Sequence, residues 1–168
     1  MKRFAIVIVA GALLVGVFGQ PASARGPKWQ FAQADPFTLP SDVCGFPVLV
    51  EPVRNEEYST TTANADGSLT IRLTGFFSSR YTNLDTEASV TVNISGPGTV
   101  VVYPDGSFDL TARGRSGIIY LPEDAQRLGF PDLFIAAGRF TEHMAPDGSF
   151  TSAHLDGTIQ MDVCAEIG

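Results

Sequence analysis

From Cys44 onward, apolar and polar residues alternate one for one, a period that points to antiparallel strands with one wet face. Leu69, Ile71 and Leu73 alternate with Ser68, Thr70, Arg72 and Thr74. Val90, Val92 and Ile94 alternate with Ser89, Thr91, Asn93 and Ser95, and Phe108, Leu110 and Ala112 with Ser107, Asp109, Thr111 and Arg113. An amphipathic helix needs its apolar positions three or four apart, and these runs lack that spacing. Turn chemistry divides them. Asp66-Gly67, Asp105-Gly106 and Asp147-Gly148 each precede Ser and then Leu or Phe. Hairpin turns demand positive φ, which glycine adopts without steric cost. Reuse of one hairpin chemistry accounts for the repetition without a repeat architecture.

Runs cover residues 46–54, 56–63, 68–77, 79–83, 87–95, 99–104, 107–114, 117–121, 132–143, 149–156 and 158–164, and merging gives eight or nine strands. Ser95-Gly96-Pro97-Gly98 reads as a further hairpin turn. One short helix is expected at 122–129, where Pro122 suits the first position, Glu123 and Asp124 the first turn, and Gly129 the stop. Strands joined in series by tight turns imply a meander. A flat meander leaves two aggregation-prone edges, and closure removes them. The expected fold is therefore all-β, an antiparallel meander closed as a small β-barrel of about eight strands. A two-sheet β-sandwich is the alternative.

The chain begins with the three zones of a secretory signal. Lys2 and Arg3 precede an uncharged apolar run from Phe4 to Phe18, and Ala22-Ser23-Ala24 forms a small-x-small cleavage site. Residues 1–24 are read as the signal peptide, 25–43 as a flexible N-terminal arm, and 44–168 as a single barrel domain. The expected location is secreted or extracellular, with no membrane insertion after processing. Loss of Lys2 and Arg3 takes the net charge from −7 to −9. A domain this acidic repels phosphate backbones, which argues against a nucleic-acid partner. Cys44 and Cys164 are the only cysteines. An even count in an oxidising compartment predicts a disulfide, and the bridge would hold the first and last strands together. Parity puts Cys164 on the outer wall or rim.

Three runs, Val100–Val102, Gly117–Leu121 and Leu133–Ala137, are apolar on both faces and need cover on both. The arm, the 122–131 segment or a second subunit would supply it, so a homo-oligomer remains an alternative.

Candidate chemistry is sparse, and neither a catalytic set nor a cofactor is expected. His143 and His154 flank the Asp147-Gly148 turn, with Glu142 and Asp156 nearby. Hairpin register puts His143 opposite about Thr151 and His154 opposite about Phe140, too far apart to share an ion. Zinc also needs three or four ligands, so no metal site is expected. The Asn64–Ser68 and Asp105–Asp109 stretches echo calcium loops but lack the distal glutamate, and they read as turns. No G-x-S-x-G elbow occurs, nor a glycine-rich loop leading into a helix. Arg113-Gly114-Arg115 reads as a solvated strand end, with an anion-holding pair at a barrel mouth as the competing reading.

Asp42-Val43-Cys44-Gly45-Phe46-Pro47, the run VTVNISGPG from Val90 to Gly98, Asp105-Gly106-Ser107 and the closing Asp162-Val163-Cys164 carry a resemblance. On these motifs the stretch from Cys44 to Cys164 resembles a group of small exported actinobacterial proteins of unassigned function. The resemblance implies export and a disulfide-closed all-β domain. It implies no catalytic residue.

The expected function is that of a secreted, non-enzymatic binding protein. Its barrel interior, lined by Leu69, Ile71, Leu73, Val90, Val92, Ile94, Phe108 and Leu110, would hold a small apolar ligand. The alternative is an envelope-associated or extracellular interaction protein with a packed interior. A third reading is a cofactor-free isomerase or cyclase. That enzyme needs a polar group aimed inward, and parity places none clearly there.

Overall fold

The computed structural model describes residues 28–168, so the signal peptide expected over 1–24 lies outside the described residues. The alternating runs join into one antiparallel sheet of nine strands. These are β1 (Gln30–Phe31), β2 (Phe37–Leu39), β3 (Val48–Ala63), β4 (Leu69–Asn83), β5 (Ser89–Asn93), β6 (Gly98–Val102), β7 (Phe108–Ile119), β8 (Leu133–Met144) and β9 (Phe150–Asp162). Three short helices are α1 (Ser41–Cys44), α2 (Pro122–Leu128) and α3 (Val163–Ile167). The pairing order is β1-β3-β4-β6-β7-β8-β9, with β2 also on β3 and β5 also on β4. Most of the short runs read from the sequence merge in pairs into long strands. The first two are continuous within β3, which has a bulge between Pro52 and Arg54.

All three Asp-Gly-Ser turns close in one way. The Gly67 N–H donates to the Asn64 carbonyl, and Gly106 and Gly148 do the same to Tyr103 and Ala145. Only the glycine takes positive φ, at 84°, 89° and 86°. This is the three-residue hairpin loop with a glycine bulge. Each aspartate's Oδ1 accepts from both the backbone N–H and the hydroxyl of the following serine. Those bonds, the hydroxyl's first, hold the three aspartates below the usual carboxylate range.

The expected hairpin at Ser95–Gly98 is not one. β5 and β6 run in line, both antiparallel to β4, against Ser78–Thr82 and Leu69–Leu73 respectively. Residues 94–97 are a kink between them. There the Ser95 hydroxyl accepts from the Phe77 N–H, and Gly96 admits the backbone of β7 so closely that a Cβ would lie 1.9 Å from the Arg113 oxygen. Sequence alone does not separate a kink from a turn, because both use Gly and Pro.

This kink belongs to a crease of glycines crossing the sheet. Gly114, Gly138 and Gly157 form one row across β7, β8 and β9. At Gly138 φ is 132°, and a Cβ would stand 2.3 Å from the Asp156 oxygen. Strand glycines of this kind mark bends. Beyond the crease the sheet opens: the β6–β7 ladder stops at Gly98–Ala112, and the rest of β7 pairs only with β8. The two halves then pack face to face. Val48, Val50 and Tyr81 meet Leu133 and Ile135, with Val90, Val92, Ile119 and Met161 around them. A second cluster joins Val100, Phe108, Ile118, Tyr120, Phe134, Phe140 and Phe150. Each such side chain contributes roughly 1.5–3 kcal/mol on burial.

Leu133–Ala137 is thus covered on both faces from within the chain. Leu133 and Ile135 point into the first cluster, and Phe134 and Ala136 into the second, where Ala125 and Phe130 of the 122–131 segment join them. That run needs no second subunit.

The expected all-β antiparallel sheet is present but not closed: it runs from β1 to β9, and these ends do not pair. Its ends approach by another route. After Asp162, whose carboxylate caps α3 by accepting the Ala165 N–H, the chain leaves the sheet as a helix. The Cys44–Cys164 disulfide forms, with α-carbons 5.2 Å apart, but it links α1 to α3 rather than two strands. Cys164 packs beside the first cluster instead of standing on an outer wall. The described part of the expected arm contributes β1 and β2, both paired with β3. Phe37 packs on the core, while Trp29 and Phe31 are exposed. Among the described residues no helix is long and apolar enough to cross a membrane.

Candidate functional site: a cavity with two buried glutamates

Where the crease bends the sheet, side chains from the two halves fail to meet and leave a cavity of about 110 Å³. Its wall is mainly apolar, with Leu73, Phe77, Val100, Leu110, Ile118 and Phe150 among its residues. Gly96, Gly98 and Gly117 line it too, so missing side chains help make the space. Two carboxyl groups interrupt this wall, Glu57 from β3 and Glu142 from β8. Both are over nine-tenths buried, at 6% and 9% exposure.

Glu57 is positioned by its backbone. The Glu57 N–H donates to Asn55 Oδ1 (2.9 Å), Asn55 Nδ2 donates to the Ala32 carbonyl (2.7 Å), and the Ala32 N–H donates to the Glu57 carbonyl (2.9 Å). The residue after β1 thereby clamps β3 where Glu57 faces Gly75 across the ladder. Among the described residues no group hydrogen-bonds the Glu57 carboxyl. Burial alone pushes its pKa up to about 7.

Glu142 stands between Leu110 of β7 and Ala153 of β9. The Tyr120 hydroxyl, reaching in from the end of β7, donates to Glu142 Oε2 at 2.7 Å. Burial pushes Glu142 up to about 7, against the lowering effect of that bond. Tyr120 is 1% exposed; burial first, then the Glu142 charge, holds its pKa far above the ordinary phenol value. It therefore remains a hydrogen-bond donor throughout the working range of a protein. Near pH 7 each glutamate populates both its ionised and its neutral form, so the cavity can accept or donate a proton.

Of the residues expected to line an interior, Leu73, Ile94 and Leu110 are on the cavity wall. Ile71 and Phe108 pack in the adjoining cluster, Val90 and Val92 belong to the other cluster, and Leu69 is 37% exposed. Parity places no polar group clearly inward; two carboxyls, Glu57 and Glu142, stand on the cavity wall. Glu142 was visible in the alternation Phe140-x-Glu142-x-Met144, whose outer members are apolar. Glu57 had no such signal, because Asn55 and Ser59 beside it are polar.

The histidines take other places. A register shift between His143 and Met144 puts His143 opposite Ser152 and His154 opposite Thr141, one residue from the expected pairing. His143 Nδ1 lies 2.6 Å from Asp109 Oδ1, and the Tyr103 hydroxyl donates to Asp109 Oδ2 at 2.6 Å. Both bonds, Tyr103's first, lower the Asp109 pKa. His143 and Asp109 are exposed on this surface. Among the described residues no group of three or more His, Cys, Asp or Glu is placed to hold a metal ion. Arg113 and Arg115 lie within β7 rather than at its end, and only Arg115 reaches the cavity, from an exposed position.

No family model, curated protein or solved structure matches this chain.

Proposed function

We propose that this is an exported small-molecule-binding protein whose ligand enters the creased cavity and meets Glu57 and Glu142 with its polar end. The observation that carries this reading is the pair of buried carboxyls on an apolar wall. The Glu57 carboxyl has no hydrogen-bond partner among the described residues, and burial favours its neutral form. A ligand carrying a carbonyl or hydroxyl would supply the missing hydrogen bond. At about 110 Å³ the space is smaller than the apolar cavity of about 150 Å³ that holds benzene, so it takes at most one small ring projecting from its open side, not a drug-sized molecule, whose pockets run to roughly 300–1,000 Å³. The disulfide and the signal-like leader support export.

The test is titration of the oxidised, processed protein with cyclohexanone and with cyclohexane, followed by methyl NMR shifts of the cavity residues. Saturable shifts confined to Leu73, Val100, Leu110 and Ile118, tighter for the ketone, support the reading. Shifts for neither compound overturn it.

A further inference from the structure

Glu57 and Glu142 differ in one respect that bears on chemistry. Glu142 Oε2 is held by the Tyr120 hydroxyl, a neutral donor that favours the ionised carboxylate. Glu57 has no such donor among the described residues; burial favours its neutral acid, and Arg115 reaches the same cavity from an exposed position. One cavity therefore contains two carboxyls raised alike to about 7, one held by a hydrogen-bond donor and the other not. Both are over nine-tenths buried, and the wall around them is mainly apolar.

We propose that the cavity catalyses proton transfer at carbon next to a carbonyl, shifting a β,γ double bond of a small unsaturated ketone into conjugation, with Glu142 as base and Glu57 as acid. This rests on the binding reading above. In the first step the Glu142 carboxylate takes a proton from the α-carbon. The C–H electron pair forms a new carbon–carbon double bond, and the carbonyl π pair moves onto oxygen, where the neutral Glu57 carboxyl delivers its proton. In the second step Glu57, now ionised, takes the enol proton back. The electrons return through the conjugated system, and the γ-carbon takes the proton held by Glu142. Substrate and product are isomers and both carboxyls end as they began, so no oxidant, reductant or cofactor enters the balance. Tyr120 is a positioning residue: it holds Glu142 Oε2 and leaves the other carboxylate oxygen for the substrate. General acid–base pairs of this kind contribute on the order of 10²–10⁴-fold each, most effectively when their pKa values lie near the working pH.

The probe is 3-cyclohexen-1-one, one small ring with a β,γ double bond, and conversion is read from the absorbance of the conjugated enone. The wild-type protein is expected to convert it at least about 10²-fold faster than acetate at equal carboxyl concentration and pH. Glu142→Gln should abolish that excess while its circular dichroism stays that of the wild type. Glu57→Gln should lower the rate by a smaller factor, since an amide still donates a hydrogen bond to the carbonyl. Tyr120→Phe should move the acid limb of the pH–rate profile upward, which a merely structural role would not do. Exchange of the α-hydrogens of bound cyclohexanone in D2O gives a second readout on the unaltered protein. Ketone binding with no excess isomerisation and no α-exchange overturns the proton-transfer inference and leaves the binding reading standing. Absence of ketone binding overturns both.

Discussion

Replacing Glu142 by glutamine isolates the effect of burial on one carboxyl, because the amide keeps the shape and its oxygen still accepts from Tyr120. Burial raises the Glu142 pKa from 4.5 to about 7. One pKa unit corresponds to about 1.36 kcal/mol, so the ionised form weakens the folded state by on the order of 3 kcal/mol. The sign follows from proton binding: the folded state holds this proton more tightly than the unfolded chain. Below the unfolded value both states are protonated and the stabilisation is complete. As pH rises from about 4.5 to about 7 the unfolded chain releases its proton first, and stability falls. Above that both states are ionised and the loss is complete. Glu57, also raised to about 7, adds a loss of the same sign in the wild type and in the variant. Urea unfolding with the disulfide intact should therefore show Glu142→Gln and wild type nearly equal at about pH 4.5. The variant should become the more stable by about 3 kcal/mol at about pH 8. Parallel stability curves over that range would refute the claim that Glu142 is ionised at a cost inside the fold.

Three further outcomes follow from the geometry. Removing the Cys44–Cys164 bridge with paired serines, which frees a sequence separation of 120, should lower unfolding stability by roughly 4–5 kcal/mol in urea. Gly138→Ala puts a Cβ 2.3 Å from the Asp156 oxygen at a φ of 132°, so a loss of at least about 3 kcal/mol or failure to fold is expected by circular dichroism; wild-type stability would remove the crease from the account. Tyr120→Phe should cost roughly 1–3 kcal/mol in thermal or urea melts. It should also extend the stability decline to higher pH, because the lost hydrogen bond was holding the Glu142 pKa down.

Much of the local structure was legible because its causes lie within a few residues. Alternation at Leu69–Leu73, Val90–Val92 and Phe108–Ala112 marks strands because successive side chains of an extended chain point to opposite faces. The Asp-Gly-Ser turns and α2 follow from φ preferences and from groups one to four residues away. Those same rules are silent on whether Ser95–Gly98 reverses the chain or merely kinks it, since the two uses of glycine differ only in what lies alongside. The one-residue error at His143 has a similar origin: a register shift beside the turn moved every pairing beyond it.

The sequence by itself thus determined the long alternating strands from Val48 onward, the three hairpin loops, the short helix at Pro122–Leu128 and the pairing of two cysteines that had no other partner. Tertiary structure decided the rest: an open, creased sheet in place of a barrel, a disulfide between helices, and a cavity containing two carboxyls. Glu57 and Glu142 are distant along the chain and share no local pattern. What joins them is the row of glycines that lets β7–β9 fold toward β3–β5. That bend depends on backbones approaching across neighbouring strands, a contact between distant segments that residue-by-residue periodicity does not encode.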